Sequence, residues 1–168
     1  MKRILIYLGW GWLFIVLQVS FFAFLPLGEA RPDLLFFLVL FLGIEFGTLS
    51  GAILVFFLGY VLDLVSATFF GLNSLLALLF FFSVSWISHR VDSRKLPFWA
   101  TALAVFSVVE IIFFWFWPWL LNPGAELPSG WFSALALRTL GNLVFGLPIL
   151  KLLYQVESWR GSESAPQL

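Results

Sequence analysis

The sequence has no cysteine, one histidine and one methionine, and only 11% of its 168 residues are charged. Without cysteine there is no disulfide, no zinc–thiolate site and no iron–sulfur cluster. His89 cannot build a metal site alone. Nine basic residues balance nine acidic ones. That balance points away from a nucleic-acid partner. Neither a P-loop nor a G-x-G-x-x-G motif is present, so no nucleotide site is expected, and no cofactor.

What the sequence does have is apolar surface. Hydrophobic residues make up 62% of the chain, Phe occurs 22 times and Trp nine times, and the mean hydropathy is +1.04. A soluble domain of this size could not bury that much and keep a solvated exterior. Lipid tolerates it, and the fold class expected is an all-α integral membrane protein. Lys2 and Arg3 precede an apolar stretch from Ile4 to Leu25. That stretch exceeds the roughly 7–15-residue core of a signal peptide. It is read as an uncleaved first span, although Gly28-Glu29-Ala30 is a weak match to a cleavage site.

A helix crossing the hydrocarbon core needs about 20 mainly apolar residues. Six segments qualify or come close: 4–25, 33–46, 48–65, 72–88, 97–120 and 131–153. Proline, glycine and charge clusters separate them at 26–32, 68–71, 89–95 and 122–130. Residues 34–65 could instead form one long helix, giving five spans. Loop charge arbitrates. With six spans and both termini cytoplasmic, Lys2, Arg3, Arg90, Arg94, Lys95, Lys151 and Arg160 lie inside, and only Arg31 lies in an outer loop. The positive-inside rule favours that arrangement. Trp115, Trp117, Trp119 and Trp131 then mark an outer aromatic belt, and Trp86 and Trp99 an inner one. The second span is too short to cross upright and is expected to be partly screened by its neighbours. Residues 1–154 are read as a single transmembrane domain and 155–168 as a short polar cytoplasmic tail.

Gly47, Gly51 and Gly59, continued by Asp63, recur on one slowly drifting helix face. Small residues so spaced allow close approach of another helix. That helix belongs either to the same chain or to a partner. Asp63, Glu110 and Arg138 need explanation, because a charge at mid-membrane costs about 2.5–3.5 kcal/mol on insertion scales. At about 1.5 Å per residue, each lies about 20 Å above the inner surface. Arg138 shares its face with Ala134, Gly141 and Asn142. The expected arrangement is a buried polar cluster of Asp63, Glu110, Arg138 and Asn142. It is either a structural ion pair or a polar pocket open to the outer face. No catalytic set is apparent, because His89 belongs to the opposite, cytoplasmic side. His89, Arg90, Arg94 and Lys95 suit contact with anionic lipid heads.

The stretch Arg31-Pro32-Asp33-Leu34-Leu35, then Gly47, Gly51, Gly59, Asp63 and Ser66, then Gly71-Leu72-Asn73-Ser74-Leu75, resembles the bacterial rod shape-determining protein MreD family. Pro32, Asp33, Asp63 and Gly71 carry the motif. Phe70-Gly71-Leu72 departs from the family's more usual Pro-Leu-Gly turn. The resemblance implies a multi-pass protein of the bacterial inner membrane, acting as a non-enzymatic scaffold of cell elongation and peptidoglycan synthesis. It implies an MreC-like single-span partner and, indirectly, the MreB filament, RodA and a class B penicillin-binding protein. Gly47, Gly51, Gly59 and Gly71 are then candidate helix-packing or partner-binding positions. The family is also similar in fold to the S subunits of energy-coupling-factor transporters, so an S-subunit-like bundle is expected. A vitamin-binding S subunit is the alternative function. The outer loops carry few polar groups for a ligand, which leans towards the scaffold.

Overall fold

Apolar runs between breaks fold as helices. The computed structural model describes residues 2–24, 31–46, 49–66, 71–93, 95–121 and 130–163. Six helical rods occur among them. Helix α1 is Lys2–Val16, and it continues through a π-helical segment, Leu17–Phe21, and a last turn, Phe22–Phe24. The remaining rods are α2 (Leu34–Glu45), α3 (Leu49–Ser66), α4 (Leu72–Ser88), α5 (Leu96–Leu121) and α6 (Trp131–Glu163). Residues 34–65 are therefore two helices. The Phe46 N–H closes α2 onto the Leu42 carbonyl at 2.8 Å.

Helix α2 organises the rest. It is apolar on every side, and its residues from Leu34 to Gly43 are all buried. A helix without a polar face has to sit in the middle. Its 12 residues span only about 18 Å, well short of a hydrocarbon core of about 30 Å. Its neighbours screen it completely over those ten residues rather than partly. Helix α4 runs alongside it, α1, α3 and α6 also pack on it, and α5 reaches it through a ring stack. Phe36 of α2 stacks on Phe106 of α5, with centroids 4.0 Å apart, and Phe80 of α4 meets Phe106 at 4.6 Å.

Among the described residues, four helices contain stretches long and apolar enough to cross a membrane: Ile4–Phe21, Leu49–Ser66, Leu96–Phe114 and Trp131–Ser158. Helices α2 and α4 are apolar but shorter. Helix α6 runs on past the expected span end at residue 153 to Glu163, so part of the expected polar tail is helical. The Tyr7 hydroxyl donates to Glu157, which ties this extension to α1. Trp99 does not face an interface as expected. It is 7% exposed, stacks on Tyr154 with an interplanar angle of 8°, and donates from Nε1 to the Ser93 carbonyl at 2.9 Å. Trp86 and Trp119 are exposed. The side chains of Trp115 and Trp117 lie outside the described residues.

Candidate functional site

Arg138, on α6, is the centre of the polar interior. Its Nε donates to Glu110 Oε2 of α5 at 3.1 Å, and its Nη2 donates to Glu110 Oε1. That is the paired-fork geometry which makes arginine–carboxylate contacts strong. Nη2 also donates to Asp33 Oδ2 at 2.9 Å. Glu110 and Asp33 are buried, whereas the Arg138 side chain is 26% exposed. Its Nη1 makes no hydrogen bond among the described residues. One guanidinium thus bridges two buried carboxyl groups from two other helices.

Asp33 sits at the start of α2, but its carboxylate does not cap that helix. Gln18 of α1 serves instead. Its Oε1 accepts from the Leu35 N–H at 3.3 Å, while its Nε2 donates to Asp33 Oδ1 at 3.3 Å. Gln18 lies in the π-helical segment, where the Phe22 N–H reaches back to the Leu17 carbonyl. Such a segment shifts the register of the side chains around it, and π-bulges recur at functional sites. Asn142 Oδ1 accepts from the Asp33 N–H at 3.0 Å, and its Nδ2 donates to Ser107 Oγ at 2.9 Å. The network thus joins α1, α2, α5 and α6. Gln18 and Ser107 were not singled out in the sequence. A lone amide inside an otherwise apolar span was the available signal, since such groups bond across membrane helices.

Asp63 does not belong to this cluster, contrary to expectation. Its carboxylate caps α4 from the neighbouring helix α3. Oδ1 accepts from Asn73 N and Nδ2, both at 3.0 Å. Oδ2 accepts from Gly71 N at 3.2 Å, Ser74 N at 3.1 Å and Ser74 Oγ at 2.7 Å. The first N–H groups of a helix have no partner within it and carry the positive end of the helix dipole. Among the described residues, Asp63 is therefore satisfied by the donors at the start of α4 rather than by a cation. Gly71 supplies the turn at φ 90°, a backbone conformation that glycine adopts readily.

The glycine face is also turned inward. A Cβ on Gly59 would lie 2.7 Å from the Ser74 Cα, and one on Gly51 would lie 2.9 Å from Phe81 Cζ. The face on which a partner helix was one of the expectations is thus occupied by α4. Gly47 lies outside the described residues. Pro32 is buried beside Asp33.

Between the triad and the Asp63 cap lies a cleft of about 280 Å³, lined by Gln18, Asp33, Ser66, Asn73, Glu110 and Arg138 among others. That is room for about nine waters at about 30 Å³ each. The cleft holds neither a thiol nor an imidazole. Among the described residues, no three His, Cys, Asp or Glu side chains group to hold a metal. What it offers is charge and hydrogen-bonding capacity within an apolar bundle.

Apolar helices wrapped around a central short helix, with their embedded charges bonded to one another, define a helical membrane protein built around a structural polar network. The chain belongs to the MreD family: the family model described as rod shape-determining protein MreD matches residues 1–156. The family is one of shape-determining structural membrane proteins. No curated protein and no solved structure matches the chain.

Proposed function

We propose that this protein is a non-enzymatic, six-span scaffold of the rod complex in the bacterial inner membrane. In this reading residues 1–154 form the transmembrane domain, and both termini, with residues 155–168, are cytoplasmic. It organises peptidoglycan synthesis by holding an MreC-like partner, and through it the MreB filament, RodA and a class B penicillin-binding protein. The observation that carries the reading is the polar cleft. It lies towards the bundle end away from residues 89–95, the end where a single-span partner with a periplasmic domain leaves the membrane. Arg138 Nη1 is available there to a partner's carbonyl or carboxylate, and Glu110 and Asp33 to a basic or amide group. With Gly51 and Gly59 covered by α4, this cleft replaces the glycine row as the recognition surface.

The test blocks the cleft without breaking the triad. Ser66 is exposed, and among the described residues its hydroxyl bonds to its own helix, at the Leu62 carbonyl. Ser66→Trp and Ile111→Trp are expected to accumulate in the membrane, lose co-purification of the MreC-like partner and produce rounded cells. If both accumulate, retain the partner and support rod shape, the cleft is not the docking site. Tight binding of a vitamin, with co-purification of an energising ATPase module, would overturn the scaffold reading itself.

A further inference from the structure

Helices α4 and α5 follow one another in the chain yet splay apart. The Phe36, Phe80 and Phe106 rings lie between them over α2. The splay leaves an apolar groove of about 300 Å³, running from Leu76 to Ile87 on α4 and from Phe98 to Val109 on α5. Its two hydroxyls are spent on their own helices: Ser83 Oγ donates to the Leu79 carbonyl at 2.7 Å, and Thr101 Oγ1 to the Pro97 carbonyl at 2.8 Å. The wall therefore offers nothing to water.

We propose that this groove holds one acyl chain of an anionic phospholipid, with its phosphate held by Arg90 and Lys95. The length of the groove suits an acyl chain. Twelve residues on either wall span about 18 Å, close to one leaflet of a hydrocarbon core of about 30 Å. The volume, about ten water equivalents at about 30 Å³ each, suits a stretch of acyl chain.

Charge fixes which lipid. The groove opens at the 89–95 loop, where Arg90, Arg94 and Lys95 outnumber Asp92. Both described basic residues are bonded one turn from the groove wall. The Arg90 N–H donates to the Ile87 carbonyl at 2.9 Å, and the Phe98 N–H donates to the Lys95 carbonyl at 3.1 Å. The Arg90 guanidinium lies 4.1 Å over the exposed Trp86 ring, and an indole at that position marks headgroup depth. Lys95 pairs with Asp92 at 2.9 Å, with both side chains more than half exposed. Such surface pairs are weak, so a phosphate can displace the carboxylate.

The test uses the absence of native cysteine. Full-length Val105→Cys, carrying a fluorophore in the groove, is reconstituted in nanodiscs with brominated phosphatidylglycerol or brominated phosphatidylcholine. Phe57→Cys, on the exposed face of α3 at similar depth, is the reference. Phosphatidylglycerol is expected to quench the groove probe more effectively, by about fivefold per contacting basic side chain, with no such preference at position 57. Arg90→Gln with Lys95→Gln should abolish the preference. Equal quenching by both lipids at position 105, or the same preference at position 57, would overturn the proposal. So would protection of position 105 from both lipids, which would show a second copy of the chain or another protein in the groove.

Discussion

Replacing Asp63 by asparagine keeps the shape of the side chain and removes one full acceptor. Five donors converge on the carboxylate: three backbone N–H groups, one amide and one hydroxyl. An asparagine serves them best by pointing its oxygen at the Gly71–Ser74 side, where three donors meet. Its NH2 then faces Asn73, whose side-chain amide can turn away but whose backbone N–H cannot. One buried N–H is orphaned, at about 1–3 kcal/mol. The loss of the anion from the helix terminus adds about 0.3–1 kcal/mol, up to about 2 in a buried geometry. The expected destabilisation is therefore about 1–5 kcal/mol. Reversible unfolding in mixed micelles, followed by circular dichroism, measures it. Hydrogen exchange should localise the damage to the first turn of α4. A loss below about 0.5 kcal/mol, the usual range for substitutions away from special features, would refute the assignment of Asp63 as the α4 cap.

Arg138→Leu and Glu110→Leu should be non-additive, with a coupling of about 0.5–3 kcal/mol in the same unfolding assay. Arg138→Leu with Asp63→Leu should add to within about 0.5 kcal/mol, because the two side chains share no contact, and strong coupling there would restore the shared cluster expected from depth. Gly59→Ala places a methyl against backbone at Ser74 and should cost about 1–3 kcal/mol. The control is Gly9→Ala, which meets nothing within 4 Å and should be neutral or stabilising by up to about 1 kcal/mol. For orientation, an impermeant thiol reagent applied to intact cells should label Ala125→Cys and spare Ser93→Cys, and the reverse pattern would overturn the six-span topology with cytoplasmic termini.

The number of helices and most of their ends were legible because hydropathy and helix breakers are local properties. Pro26 to Pro32, the 89–95 charge cluster and Asn122 to Gly130 interrupt the apolar runs whatever the packing. The C-terminal end of α6 was not legible. A polar segment such as Gln155 to Glu163 reads equally as tail or as helix until Tyr7 of α1 is seen to meet Glu157. The aromatic belts show the same division. Trp86 stays at the surface, while Trp99 turns inward because Tyr154 offers it a stacking partner.

The polar site divides in the same way. Sequence by itself determined that Arg138 must be compensated and that Glu110 lies at its depth, since both follow from helical rise and the cost of a charge in lipid. Depth is one coordinate. Asp63 shares it, yet α3 turns that carboxylate towards the start of α4. Asp33 looked like a residue at the membrane edge, yet it becomes the second partner of Arg138. Helix α2 is short enough to be enclosed by its neighbours, which sinks its first turn to the level of the arginine. The glycine spacing announced a close helix contact, but a 2.7 Å approach to Ser74 was needed to show that the contact is internal. Rise and hydropathy run along a single helix and can be read from one chain. The rotation of one helix against another is set only when all six pack together, and that rotation decided which charges meet.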